Sequence, residues 1–266
     1  MPIIQPFAVR PLDVDPASIA TGNEKAERPA ANLSRLRHIG MTWQTDGAGS
    51  AWVRGQLAAA AGIDFVSMIN ASALPGTTIR VRLGTSQGEV DGAAPYDSGA
   101  LPFISPATTR ESGLYHSHLE LPAVQTTSWF RIDIGGHTGD FEAAGLVMGR
   151  KIQPARFYDR DFEFGIEDLG SLDISRNGVS GETPGLVLRT LLFRLSWVTK
   201  AEFETEFRPM IEALATRKPS FWCFNPEPTV YRQNETFFGY FGRPPFARGG
   251  QKPQTFAVEF QIRSLI

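Results

Sequence analysis

The sequence predicts a mainly β protein with two domains. Its 266 residues, 42% of them hydrophobic, exceed what a single sandwich of modest size needs for its core. The 26 glycines and 19 prolines are spread along the chain and separate many short apolar runs, a pattern typical of strands joined by turns. Several runs alternate apolar and polar residues, as strands do when one face meets the core and the other meets water.

The first half of the chain predicts an N-terminal piece followed by a sandwich. Residues 1–30 read as a strand near Ile3–Val9 and then an extended arm, because residues 15–31 are small, polar and charged without periodicity. Residues 31–150 fit an antiparallel β-sandwich of the jelly-roll type. Trp43 is predicted to begin its core. The predicted strands of this domain are Ile63–Ile69, Thr77–Leu83, Ser128–Ile134 and Gly145–Met148.

The second half, residues 151–266, predicts a β-barrel or sheet with one packed α-helix. The helix is expected at 200–216, where apolar residues recur every three or four positions, with Thr199 as N-cap and Pro209 as the cause of a kink or break. The predicted strands are Phe157–Phe164, Leu186–Trp197, Ser220–Phe224, Thr236–Tyr240 and Thr255–Ile262. Trp222, Phe256 and Phe260 are assigned to the core.

Charge and composition exclude several classes of function. The formal net charge is -2 with acids and bases well mixed, so the sequence lacks the basic footprint of a nucleic-acid-binding protein. No apolar run approaches the roughly 18 residues of a membrane span, and the N-terminus lacks the features of a secretory signal. We therefore expect a protein made in the cytoplasm that does not insert into membranes. The single cysteine, Cys223, lies among aromatic residues and is expected to be buried and inert.

Two groups of side chains could support metal binding or catalysis, and each also has a simpler structural explanation. His116 and His118 at alternate positions could supply two zinc ligands, but no cysteine or Glu-x-x-His partner lies near them in sequence. The densest acidic set could supply the carboxylate pair of a glycosidase: Asp159, Asp161, Glu163, Glu167 and Asp168. The alternation of a strand, however, also places Asp159, Asp161 and Glu163 on a solvated face. Motifs for acyl or phosphoryl transfer do not occur. We expect no catalytic residue, no metal and no cofactor, and hence no enzyme.

A family resemblance rests on short pieces in a fixed order. Thr78–Arg82, Tyr96–Gly99, Trp129–Ile134 and Gly145–Arg150 resemble phage proteins with a galactose-binding-like (discoidin-type) jelly roll, encoded among the tail-tip genes of long-tailed phages and gene-transfer particles. The family's His-Asn-Leu motif is replaced by Ile69-Asn70-Ala71. The second half, with its helix and the run Phe238–Gly242, resembles the tube-type domain of distal tail and baseplate ring proteins.

The resemblance implies a structural component of a phage tail tip, located in the virion and forming or decorating a ring. Its partners would be copies of itself and other tail proteins, namely tube, hub and tape measure. The alternative is a carbohydrate-binding adhesin that recognises a host surface glycan, with Trp52, Arg54, His116 and His118 as candidate glycan contacts. A glycan-degrading enzyme acting through Asp161 or Glu163 is a third hypothesis.

Overall fold

The computed structural model describes residues 5–49, 51–178, 180–250 and 252–266. It divides into two compact units. The sandwich unit comprises Ala8–Lys151 and, from the second half of the sequence, Glu227–Asn234. The helix-bearing unit comprises the described part of Met1–Phe7 together with Ile152–Pro226 and Glu235–Ile266. The mainly β fold class predicted from the sequence is confirmed, with a sandwich followed by an α+β sheet.

Strand β1 (Phe7–Val9) precedes the strands of the sandwich unit. These are β2 (Ala20–Thr21), β3 (Trp43–Gln44), β4 (Trp52–Ile69), β5 (Thr78–Gly84), β6 (Tyr96–Asp97), β7 (Leu101–Pro102), β8 (Leu119–Gly135), β9 (Glu142–Ala143), β10 (Gly145–Gly149) and β11 (Lys151–Ile152). The main sheet has the order β10-β4-β8-β5-β6, with β2 beside β4 and β7 beside β5. Strands β3 and β9 form a separate pair.

The core of the sandwich unit lies between this sheet and the β3–β9 pair. Trp43 is fully buried and contacts Phe141 edge to face, as predicted for the start of the core. Alternate residues of β5 and β8, among them Val81 and Ile132, point into the same core. Their partners on the opposite face of the sheet are mostly charged or polar, because successive side chains of a strand point to opposite faces.

Residues 15–31 do not form an extended arm. Asp15 caps a short 3-10 helix (Pro16–Ser18), and β2 pairs with β4 through Ala20 and Arg54. A second 3-10 helix, Ala30–Ser34, buries Leu33. Sequence periodicity does not reveal this packing, because the segment contributes single apolar residues to the core rather than a repeating face.

The helix-bearing unit contains strands β12 (Glu163–Asp168), β13 (Ser171–Ile174), β14 (Ser180–Thr183), β15 (Val187–Thr199), β16 (Ser220–Cys223), β17 (Thr236–Phe241), β18 (Phe246–Gly249) and β19 (Thr255–Ser264). Strands β16-β17-β19-β15-β12 follow one another in an open sheet, so the barrel alternative is wrong. Strand β18 pairs with β19, and β13 pairs with β14. The predicted strand Phe157–Phe164 is present only from Glu163 onward.

That shortened strand has a physical explanation in the aromatic packing of residues 157–162. Tyr158 and Phe162 both pack on Phe224, with ring centroids 4.3 and 5.1 Å apart. Strand alternation would point Tyr158 and Phe162 to the same face but would space them about 13 Å apart along a straight strand, too far for one ring to contact both. The chain therefore leaves the extended conformation here.

The predicted helix is confirmed. Helical residues run through Lys200–Glu202 (α-helix), Phe203–Phe207 (π-helix) and Arg208–Leu214 (α-helix), and Thr199 and Glu202 form a capping box. The π segment ends two residues before Pro209, whose missing N–H explains the departure from regular α geometry. Four of the predicted apolar positions are buried: Phe203, Phe207, Met210 and Leu214. Cys223 is buried, as expected.

Candidate functional site

An open cavity of about 390 Å³ lies in the sandwich unit. Two segments that are far apart in sequence form its walls: the loop before β8 and the segment 227–234. Most of the lining side chains carry hydroxyl, amide or charged groups: Thr108, Thr109, Arg110, Glu111, Ser112, Gln233 and Asn234, with Val230 as the apolar member. The volume lies within the range of about 300–1,000 Å³ typical of small-molecule sites.

The loop wall is held by its own hydrogen bonds. The backbone N–H of Arg110 donates to the Tyr115 hydroxyl at 3.2 Å, and the Arg110 guanidinium donates to the Leu114 carbonyl at 2.9 Å. Gly113 has φ +63°, a conformation that suits glycine, and its N–H donates to the Arg110 carbonyl. The loop is therefore closed on itself around Arg110.

The second wall is fixed to the first through a glutamine. The Gln233 side-chain oxygen accepts from the His116 N–H at 3.0 Å, and its nitrogen donates to the His116 carbonyl at 2.7 Å. The amide thus takes the place of a neighbouring strand's backbone. Arg232 also donates to the Ser105 carbonyl. Both contacts are made across more than 100 residues of sequence, and no local pattern signals them.

His116 supports the cavity and does not line it. Its side chain is buried, with Nδ1 3.1 Å from the Asn70 backbone N–H and Nε2 3.1 Å from the Arg110 guanidinium. Both neighbours are donors, and a neutral imidazole has only one unprotonated nitrogen, so it can accept from only one of them. Asn70 itself has φ +49°, which asparagine tolerates better than most residues. The flanking residues Ile69 and Ala71 are the positions that differ from the His-Asn-Leu motif.

His118 belongs to a separate charged group. Its Nε2 lies 3.0 Å from the Glu120 carboxylate, which also accepts from Lys151 at 2.5 Å, and its ring packs edge to face on Phe65. Burial lowers the pKa of His118, against the opposing effect of Glu120. Burial would raise the pKa of Glu120, but the hydrogen bonds from His118 and Lys151 outweigh it and lower that pKa to about 2.

Trp52 and Arg54 lie together on the outer face of the main sheet. Arg54 is opposite Arg131 of β8, and Arg131 is opposite Arg82 of β5, so three arginines form a row across three strands. The Asp91 carboxylate, from a short helix α1 (Gln87–Asp91), accepts from both Arg54 and Arg131. Arg131 stacks over the Trp52 ring, 4.4 Å from its centroid.

The four predicted glycan contacts therefore fall into two groups, Trp52 with Arg54 and His116 with His118. None of the four lines the cavity. Their role as contacts stays a prediction. Sequence reasoning missed the cavity residues, since the hydroxyl-rich run Thr108–Ser112 resembles any polar loop. It also missed α1, although Ser86 and Glu89 show the Ser-x-x-Glu spacing of a helix start, and the Ser86 side chain accepts from the Glu89 N–H.

The structure also shows the surroundings of the acidic residues that the sequence suggested for glycoside cleavage. Asp161 and Glu163 are exposed, while Asp159 accepts a hydrogen bond from the Ser196 hydroxyl. In the described part of the chain, no group of three or more histidine, cysteine, aspartate and glutamate side chains is arranged to hold a metal ion. None of the described helices combines the length and the apolar character needed to cross a bilayer.

Comparison with known proteins gives structural similarities only. No family model matches the sequence, and no curated protein matches it. A fucose-binding module of Streptococcus pneumoniae is similar at 10% identity over 50% of this chain and 89% of that chain, with a TM-score of 0.37. The lectin domain of lectinolysin complexed with Lewis B antigen covers 50% of this chain and 91% of its own at 10% identity, with a TM-score of 0.36.

A third solved structure, reduced XRCC1 bound to the catalytic domain of DNA polymerase β, matches 53% of this chain and 98% of its own at 15% identity, with a TM-score of 0.35. The fold class of the sandwich unit follows from its own strand order. The predicted relation to phage tail-tip proteins stays a prediction.

Proposed function

We propose that the protein binds carbohydrate in the cavity of the sandwich unit. The observation that carries this proposal is the lining: hydroxyl and amide side chains from two segments converge on one open space. A sugar presents several hydroxyl groups, each a donor and an acceptor, and such a set of side chains can satisfy them in place of water.

The walls are also rigid before any ligand binds. Gln233 is fixed by two hydrogen bonds to His116, and Arg110 is fixed by the Leu114 carbonyl. A preformed site loses less conformational entropy on binding, which suits a ligand that offers many weak hydrogen bonds. This function corresponds to the glycan-binding alternative drawn from the sequence.

A glycan array probed with the full-length protein tests the proposal, followed by calorimetric titration of any hit. The double variant Thr109→Val, Ser112→Ala removes two lining hydroxyls with little change in shape. We expect affinity to fall about 10-fold, since a hydrogen bond contributes about 0.5–1.5 kcal/mol. Thr126→Val, on an exposed position of β8, is the control and should bind like the wild type. Absence of binding to any glycan at millimolar concentration contradicts the proposal.

A second candidate function, assembly with copies of itself as a structural subunit of a phage tail tip, is favoured by a surface of the helix-bearing unit. The apolar ribbon, residues 163–187, is formed by β12–β14 and the start of β15. Ile166 is 73% exposed and Leu172 63% exposed, and the other exposed large apolar side chains of the ribbon are Phe164, Leu169, Ile174, Leu186 and Val187. A concentration of exposed large apolar side chains is unusual for a monomer and favours an interaction site.

The same unit offers a complementary edge for a second copy. Within the described residues, β12 pairs only with β15 and β18 pairs only with β19, so open edges lie on the two sides of the β15–β19 pair. Residues 163–187 contain five acidic residues and one basic residue, whereas residues 243–252 around β18 contain three basic and no acidic residues. Head-to-tail contact of such edges produces a ring or a filament.

Light scattering behind size exclusion tests this candidate. We expect the wild type to associate in a concentration-dependent way and the variant Ile166→Glu, Leu172→Glu to be monomeric. Ala213→Glu, at an exposed helix position outside the apolar ribbon, is the charge control and should associate like the wild type. A wild type that stays monomeric at high micromolar concentration refutes self-assembly. Detection of the protein in purified phage particles would test the tail-tip setting and the virion location.

A further inference from the structure

Arg110 differs from several other arginines of the sandwich unit in having no acidic partner among the described residues. Arg80 pairs with Asp97, Arg82 with Asp133 and Arg28 with Glu142. Arg110 forms no ion pair with any acidic residue in the part of the chain that the structure describes, although it is half-buried in the cavity wall. Its neighbours are the Leu114 carbonyl, the Tyr115 hydroxyl and the His116 imidazole, all of them uncharged acceptors or donors.

A guanidinium removed from water without a counter-charge is unfavourable. Burial lowers the pKa of Arg110, an effect only partly opposed by the Tyr115 side chain. His116 offers no negative charge, since an imidazole is either neutral or positively charged. Glu111 also lines the cavity but is exposed and forms no ion pair with Arg110.

The guanidinium has one edge engaged and one edge available. Its described side-chain hydrogen bonds all start from Nη1, and among the described residues the Nε and Nη2 donors have no hydrogen-bond acceptor. This edge is the fork that binds a carboxylate through two parallel hydrogen bonds. A neutral sugar hydroxyl would use only one of these donors.

We infer that the ligand of the cavity is an acidic sugar, bound with its carboxylate on the Nε and Nη2 edge of Arg110. This inference rests on the proposed carbohydrate-binding function and narrows it to uronic or related acidic residues. The hydroxyl and amide side chains then bind the ring hydroxyls, and Arg110 determines the preference for acidic over neutral sugars.

Matched sugars provide the test. Galacturonic acid and galactose differ only in the carboxylate or hydroxymethyl group at C6, and glucuronic acid and glucose form a second pair. In calorimetric or ligand-observed NMR titrations of the full-length protein at low salt, we expect the acid of a pair to bind at least 10-fold more tightly. Raising the salt to 0.5 M should reduce this advantage several-fold, because screening weakens a charge pair at an open site.

Variants separate the role of Arg110 from the effect of removing a positive charge elsewhere on the unit. Arg110→Gln should abolish the preference for the acid, Arg110→Lys should keep only part of it, and Arg37→Gln, an exposed arginine of the same unit, should leave it unchanged. Equal affinity for the acidic and neutral members in the wild type overturns the inference while the proposed function stands. Failure of every acidic and neutral sugar to bind contradicts the proposed function itself. The wild-type salt dependence keeps the test decisive if Arg110→Gln does not fold.

Discussion

Replacing Gln233 tests how the cavity is held together. Gln233→Ala removes the acceptor for the His116 N–H and the donor for the His116 carbonyl, which are bonded at 3.0 and 2.7 Å in a buried setting. Each buried backbone group left without a partner costs about 1–3 kcal/mol. Partial access of water to the opened wall reduces the sum, so we expect a loss of about 2–4 kcal/mol in the local stability of the sandwich unit.

Hydrogen exchange of the His116 amide measures this loss directly. Because 1.4 kcal/mol corresponds to a factor of ten, the amide should exchange about 30–1,000-fold faster in the variant. Urea unfolding should show a lower midpoint for the sandwich unit. Gln233→Glu keeps the size but places an oxygen against the His116 carbonyl, so it should be about as destabilising as the alanine variant.

Gln125→Ala is the matched control, since that side chain bonds only to the nearby Ala123 carbonyl. It should change stability by no more than about 0.5 kcal/mol. If Gln233→Ala leaves both the exchange of His116 and the urea midpoint within that limit, the two hydrogen bonds do not hold the wall, and the argument for a preformed cavity fails.

Three further predictions concern the charged groups of the same unit. Asp91→Asn removes the carboxylate shared by Arg54 and Arg131 and should lower the free energy of unfolding by about 1–3 kcal/mol, measured by urea titration. A change near zero would mean that other groups neutralise the row of arginines. The pKa of Glu120 in the folded protein is about 2, below its usual value near 4.5. The ionised Glu120 therefore makes its full contribution to the free energy of unfolding above pH 4.5, and this contribution is lost as the pH falls toward 2. Glu120→Gln should therefore be less stable than the wild type at neutral pH and should lose less stability between pH 4.5 and 2. The lowered pKa of His118 adds a separate loss of stability as the pH falls below 6.5, which His118→Phe should remove.

Elements with local signals are predictable from the sequence. The alternation of residues 77–83 predicts β5 within one residue at each end, because a strand with one buried face must repeat every two residues. The helix after Thr199 follows from its spacing and its cap. Strand β4 was predicted only from Ile63, although it starts at Trp52, because its middle, Ala58–Gly62, lacks alternation and the register shifts there.

The position of the candidate site depends on long-range packing. The cavity joins the loop before β8 to a segment more than 100 residues later, through Gln233 and His116, and both segments are ordinary polar loops in sequence. The pairing partner of a buried amide or guanidinium depends on which loops the packed sheets bring together, and no local pattern encodes that. For the same reason the sequence could suggest Trp52, Arg54, His116 and His118 as candidates but could not show that they form two groups. Nor could it show that Arg110 lines the cavity with no acidic partner among the described residues.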